Sequence, residues 1–129
     1  MTQQRFPDQR PNDLPSITRK VRTLMGGLVQ SLYVTVGFKN GLPFEISTNT
    51  PKRATYERSH AETICGLVSL ALQSGVASQA IAAELRGIID AGAGRAFGSD
   101  EEFDEVGDTL ADVIAQILEK INNGEIVKQ

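Results

Sequence analysis

Apolar and polar residues alternate through the first third of the chain. In "SITRKVRT", starting at Ser16, Ile17 and Val21 fall on one side of an extended strand, with Thr18, Lys20 and Arg22 on the other. "SLYVTVGF" alternates more cleanly, placing Leu32, Val34, Val36 and Phe38 on one face, and "LPFEIST" follows with Phe44 and Ile46. These segments read as half-buried antiparallel strands, the first with a basic outer face. The turn before the third strand has two readings. An Asn-Gly two-residue loop sets Phe44 opposite Gly37 and puts apolar residues on both faces. A three-residue loop, Lys39-Asn40-Gly41, sets Phe44 opposite Val36 and Ile46 opposite Val34, leaving one wholly apolar face. The second register is the expected one, with Gly41 in the left-handed conformation.

Helical spacing takes over after residue 58. Ser59 and Glu62 have the form of a capping box, followed by Ala61, Ile64, Cys65, Val68, Ala71 and Leu72 at helical intervals, and Gly75 as the stop. A second helix is expected from about Ser78, with Ile81, Leu85, Ile88 and Ile89 on one face. A third opens with another box, Ser99 to Glu102. Its stripe is Phe103, Val106, Leu110, Val113, Ile114, Ile117, Leu118 and Ile121, and Asn123-Gly124 ends it. The fold class is therefore α+β: a small antiparallel sheet of about three strands followed by three helices. Residues 1–15, with three prolines, are expected to form a flexible arm, 16–124 a single domain, and 125–129 a tail.

Composition narrows the function classes. At 129 residues the chain fits one domain, and with five Phe, two Tyr and no Trp its core must be aliphatic. One cysteine and one histidine cannot supply a disulfide or a zinc site within one chain. No apolar run approaches membrane-spanning length, and the polar N-terminus lacks a signal-peptide core, so a cytoplasmic protein is expected. The net charge of −3 is unevenly spread: residues 1–60 are net basic and 61–129 strongly acidic. That asymmetry fits an anionic ligand on the first half, head-to-tail contact between chains, or simply differently charged solvent faces. Net negative charge and few aromatics argue against nucleic acid as a partner.

The stretch "YERSHAETICGLVSLALQSG" holds both His60 and Cys65. Cys65 falls on the apolar stripe, where a lone cysteine acts as a small core residue. His60 lies off the stripe, five residues away, so the two cannot grip one metal. No nucleophile–base pair is evident, and the chain is expected to be non-catalytic, without cofactor or metal. "GAGRAFG", from Gly92 to Gly98, lacks the phosphate-loop pattern and does not follow a strand, and the acids at 100–102 would repel an anion. It reads as a linker, with Arg95 as a cation able to close over a ligand.

The segments "RPNDLPSITRKVRT", "SLYVTV", "GLPFEI", "SHAETICGLVSLALQSGV" and "LRGI" together resemble the C-terminal TSCPD domain of adenosylcobalamin-dependent (class II) ribonucleotide reductases. The likeness runs from about Arg10 to Leu118. In those reductases the domain is a cysteine-bearing appendage to the catalytic barrel, associated with metal binding or delivery of reducing equivalents. Here the cysteine positions read differently. Tyr56 stands before the first helix, Asp90 follows the "RGI" motif, Leu110 occupies the name-giving position in "TLAD", and "TLMGG" replaces the cysteine-bearing turn. Asp112 matches the motif's acid, and Cys65 matches none of the family thiols. The resemblance thus implies a stand-alone scaffold without its redox chemistry or the catalytic barrel.

Such a scaffold suits binding. The expected function is sequestration of a nucleotide or cyclic-nucleotide signal, as small phage-encoded anti-defence sponges do. The alternatives are an accessory or regulatory subunit of a class II ribonucleotide reductase and a purely structural oligomer. The expected ligand residues are Lys52, Arg53, Tyr56, Arg58 and His60, with Arg86 and Arg95 in reserve: guanidinium forks suit phosphate and a tyrosine ring suits a base. A homo-oligomer, with pockets where subunits meet, is the expected assembly.

Overall fold

The computed structural model describes residues 12–25, 28–49, 55–88 and 102–126. Three strands open the chain: β1 (Ser16–Met25), β2 (Leu28–Lys39) and β3 (Leu42–Asn49). Helices α1 (Thr55–Gln73) and α2 (Ser78–Leu85) follow, then a short strand β4 (Glu105–Val106) and helix α3 (Leu110–Asn122). The sheet has the order β3-β2-β1-β4. Its pairs are antiparallel except β1–β4, which is parallel. The fold is α+β, with one strand more than the alternation suggested.

Strand alternation sets the core. Val21, Leu32, Val34, Val36 and Ile46 point inward, and onto them pack Ala61, Cys65 and Val68 of α1 and Val113, Ile114, Ile117 and Leu118 of α3. The outer face, with Thr18, Ser31, Tyr33 and Ser47, is exposed. Among the described residues no helix is long and apolar enough to cross a membrane.

The β2–β3 turn is the two-residue Asn40-Gly41 loop, with φ of 55° and 81°, and not the three-residue one. A bulge between Gly37 and Phe38 prevents the apolar residues on both faces that an unbroken two-residue register would create. Lys39 pairs with Leu42 and Phe38 with Pro43, but the register then slips so that Gly37 faces Glu45 and Val36 faces Ile46. The extra residue lets Pro43 and Phe44 both be buried while Ile46 returns to the inner face. Pro43 sits at a bulge on an edge strand, where its missing N–H is tolerated.

Two helix starts also differ from the pattern. The Ser59–Glu62 box lies inside α1, which begins at Thr55. No helix breaker separates Thr55 from Ser59, so the helix propagates back through the box. Helix α3 begins at Leu110, not near Ser99, with the Thr109 hydroxyl accepting from Asp112 N. Phe103 and Val106 have helical spacing, but Asp104 N and Gly107 N donate to Lys20 O and Arg22 O, holding the backbone extended as β4. The Phe103 ring lies beneath Lys20 and Arg22, 5.2 and 5.6 Å from their charges. The helix ends match expectation. Gly75 and Gly124 adopt φ of 92° and 79°. Val76 N reaches Ala71 O and Glu125 N reaches Lys120 O, closing both helices in the Schellman manner.

The α3 stripe is spent within the chain. Leu110, Val113, Ile114, Ile117 and Leu118 are buried against the sheet and α2, so this helix does not need a second subunit to cover it. Beneath α3, the Glu105 carboxylate is 0% exposed and accepts from Arg19 Nη2 at 2.7 Å and Lys120 Nζ at 2.9 Å. That hydrogen bond raises the Arg19 pKa above its ordinary value, against the opposing effect of burial. The buried carboxylate is thus matched by two cations, as an ion in the interior must be.

Candidate functional site

Helix α1 runs along the outer edge of β3 and closes it. Ser69 Oγ accepts from Ile46 N at 2.8 Å and donates to Ile46 O at 3.1 Å. Gln73 Nε2 donates to Phe44 O at 3.3 Å, and Cys65 is hydrogen-bonded to the Thr48 side chain. The spacing explains the match. Four helical residues rise about 6 Å and two strand residues about 6.7 Å. Cys65, Ser69 and Gln73 therefore meet Thr48, Ile46 and Phe44 in turn. Edge groups that would otherwise invite a foreign strand are taken up inside the chain.

That arrangement settles the chemistry of Cys65. The thiol is buried in the core, and burial pushes its pKa up to about 11, partly offset by the Thr48 hydrogen bond. It is held as a thiol at neutral pH, the opposite of a reactive cysteine. His60 is exposed on α1, in its second turn. Among the described residues no group of three His, Cys, Asp or Glu side chains could hold a metal ion.

Two motifs far apart in sequence meet at Asp112. Its Oδ1 accepts from Gly87 N at 2.7 Å and Arg86 Nη1 at 3.2 Å, and its Oδ2 from Gln116 Nε2 at 2.9 Å. Arg86 Nε also reaches Glu119 Oε1 at 3.2 Å, while the Thr109 hydroxyl donates to Ile88 O at 2.5 Å. Gly87 has φ of 83°, a left-handed conformation suited to glycine. Every residue of "RGI" thus bonds to "TLAD" through its N–H, side chain or carbonyl. The knot ties the exit of α2 to the start of α3. Gly107 lies under the same knot: a Cβ there would come 2.9 Å from Val113 Cγ2 and 3.0 Å from Asp112 Oδ2.

The TSCPD domain model matches residues 4–122. The chain belongs to the TSCPD domain family. Comparison with curated proteins and with solved structures gave no match. In this TSCPD domain Leu110, the position the resemblance aligns with the name-giving cysteine, is 3% exposed and sits in the hydrophobic core. The neighbouring motif residues Thr109 and Asp112 serve as helix cap and knot.

Of the ligand residues expected from sequence, Lys52, Arg53 and Arg95 lie outside the described residues. Tyr56 and Arg58 lie in the first turn of α1, with their side chains outside that description, and Arg86 bonds Asp112 and Glu119. The described residues instead form a cleft of about 400 Å³ at the hairpin end of the molecule. Lys39, Asn40 and Leu42 of the hairpin line one side. Gln73 and Val76 at the end of α1, Ser78 and Gln79 at the start of α2, and Asn122 at the end of α3 line the other. Ser78 Oγ donates to Asn122 Oδ1 at 2.8 Å, and the Lys39 ammonium stands 5.1 Å from the centre of the Phe44 ring. Ala77, at the N-cap of α2, provides no side-chain hydrogen bond. Sequence reading missed this cleft because its residues come from three separate segments, 39–44, 72–79 and Asn122, each ordinary alone. The one available signal was the cluster of uncharged polar residues around the two turns.

Proposed function

We propose that this TSCPD domain is a non-catalytic binding protein for a small nucleotide-like anion, mononucleotide or cyclic nucleotide, and that the hairpin-end cleft is its site. One observation carries the reading. In a chain of net charge −3, the cleft is lined by one cation, Lys39, and by Asn40, Gln73, Ser78, Gln79 and Asn122, with no acid among the lining residues. Amide and hydroxyl groups suit the hydrogen-bonding edge of a base or sugar, and the ammonium suits a phosphate. Leu42, 68% exposed, and Val76 provide apolar walls for a flat ring. The volume lies within the roughly 300–1,000 Å³ of ordinary ligand sites. A buried thiol held protonated supports a binding role over a redox one. Sequestration of a nucleotide signal follows if binding is tight and no turnover accompanies it.

Native mass spectrometry of protein purified from cells, followed by calorimetry against mono-, di- and cyclic nucleotides, tests the reading. Lys39→Ala is expected to weaken binding of the best ligand at least tenfold, about 1.4 kcal/mol, with the fold retained by circular dichroism. Absence of binding at millimolar nucleotide overturns the proposal and moves an accessory role beside a ribonucleotide reductase ahead. Binding that Lys39→Ala leaves unchanged removes the cleft and returns attention to Lys52, Arg53, Tyr56 and Arg58.

A further inference from the structure

Helix α1 is apolar on two sides. Ala61, Cys65 and Val68 enter the core. The opposite side presents Ser59, Thr63, Gly66, Leu67, Leu70 and Ser74, all exposed. Leu67 is 63% and Leu70 49% exposed. From Thr63 to Ala83 the chain carries no charged residue at all. A helix with apolar residues on both sides is ordinarily covered on both. Thr63, Leu67, Leu70 and Ser74 follow one another at intervals of four, three and four, the spacing of a helix–helix seam.

We infer that this stripe is the interface of a two-fold dimer, in which α1 packs antiparallel on α1 of a second copy. The stripe is symmetric about the Gly66–Leu67 bond, and its side chains are complementary in size under that symmetry. With the two-fold axis at this bond, Leu67 faces the partner's Gly66, Leu70 faces the partner's Thr63, and Ser59 faces the partner's Ser74. Each leucine meets a smaller residue. A Cβ on Gly66 would meet nothing within 4 Å in this chain, so the space beside it is open to the partner's Leu67. An uncharged face has no field with which to select an oppositely charged partner, and it can lie on its own copy without opposing like charges. The nearest acid, Glu62, is separated from its symmetry mate by about 13 Å along the axis, beyond a Debye length of roughly 8 Å.

One helix pair covers less than the roughly 800 Å² per partner of a standard interface, so the dimer is sensitive to dilution. Sedimentation velocity of the full chain from micromolar to millimolar concentration should show a reversible monomer–dimer equilibrium. Leu67→Glu should abolish it with the melting temperature of the dilute protein unchanged. Gly66→Ala should raise that melting temperature, because alanine favours the helix, while weakening dimerisation. Oxidation distinguishes the register. The double variant Thr63→Cys/Leu70→Cys should crosslink into a covalent dimer, whereas Thr63→Cys alone should not, since its two copies lie about 10 Å apart along the axis. A chain that stays monomeric at every concentration overturns the proposal and leaves the face to a different protein or to residues 1–11. Dimerisation that Leu67→Glu leaves intact, or crosslinking of Thr63→Cys alone, overturns it as well.

Discussion

Replacing Ser69 with alanine removes a single oxygen that satisfies both backbone groups of Ile46. Ile46 is 4% exposed, and in its pairing with Val36 its N–H and C=O face away from β2, toward α1. Each buried group left without a partner costs about 1–3 kcal/mol. Ser69 is only part-buried, so water can reach one of the two, and alanine's better helix propensity returns about 0.5 kcal/mol. The expected net loss is about 2 kcal/mol. For a chain of this size that lowers the melting temperature by roughly 6–10 °C. Ser69→Thr keeps the hydroxyl and should recover most of the loss. Urea unfolding gives the stability change. Amide hydrogen exchange supplies a local readout: Ile46 should exchange faster in the alanine variant while Val36, on the central strand, keeps its protection relative to global unfolding. If Ser69→Ala matches the parent in both measurements, the hydroxyl is not closing the edge, and the helix–strand match of spacing is incidental.

Two further outcomes follow from the same packing. Asp112→Ala strips partners from Gly87 N, Arg86 and Gln116 together and should cost about 2–4 kcal/mol in urea unfolding. Asp112→Asn, which keeps an acceptor oxygen for Gly87, should cost less, and equal losses would show that the charge alone matters. Cys65, with its pKa raised from 9.0 to about 11, ionises more readily unfolded than folded. Its contribution is complete below pH 9 and lost between pH 9 and 11, so stability should fall more steeply across that window than in Cys65→Ala; parallel curves would count against the buried thiol.

Periodicity located α1, the start of α2 and the body of α3 because each buries one side in the core, α1 and α3 against the sheet and α2 against α3, which is what a 3.6-residue repeat reports; Ile88, placed on the α2 face by its spacing, lies beyond the helix end at Leu85 and is exposed. Periodicity also gave the inner faces of β1 and β2. It failed where a few backbone hydrogen bonds outweighed side-chain pattern. Phe103 and Val106 have helical spacing, yet two bonds to β1 and the buried Glu105 make that segment a strand. The hairpin turn shows a different limit. Asn40-Gly41 favours a two-residue loop on local conformational grounds, whereas strict alternation favours a three-residue loop that keeps one face apolar. The chain keeps both by inserting a bulge, an option that side-chain alternation does not encode. The cleft was illegible for a simpler reason: three segments contribute to it, and only the fold brings them together.

The family likeness was legible in sequence, but what its motifs do was not. Read as chemistry, "RGI" and "TLAD" suggest a thiol site from which the thiols have gone. In the structure they form one hydrogen-bonded knot around Asp112, built from a left-handed glycine, an arginine, a threonine cap and a carboxylate, and none of these roles requires a cysteine. Leu110, between the cap and the carboxylate, fills the core beneath the knot and is as enclosed as Cys65. The cap and the carboxylate hold α2 against α3 whatever occupies the position between them. The start of α2 and the end of α3 together form one wall of the hairpin-end cleft, where Ser78 bonds Asn122, so the knot that orients these two helices also fixes that wall opposite the hairpin.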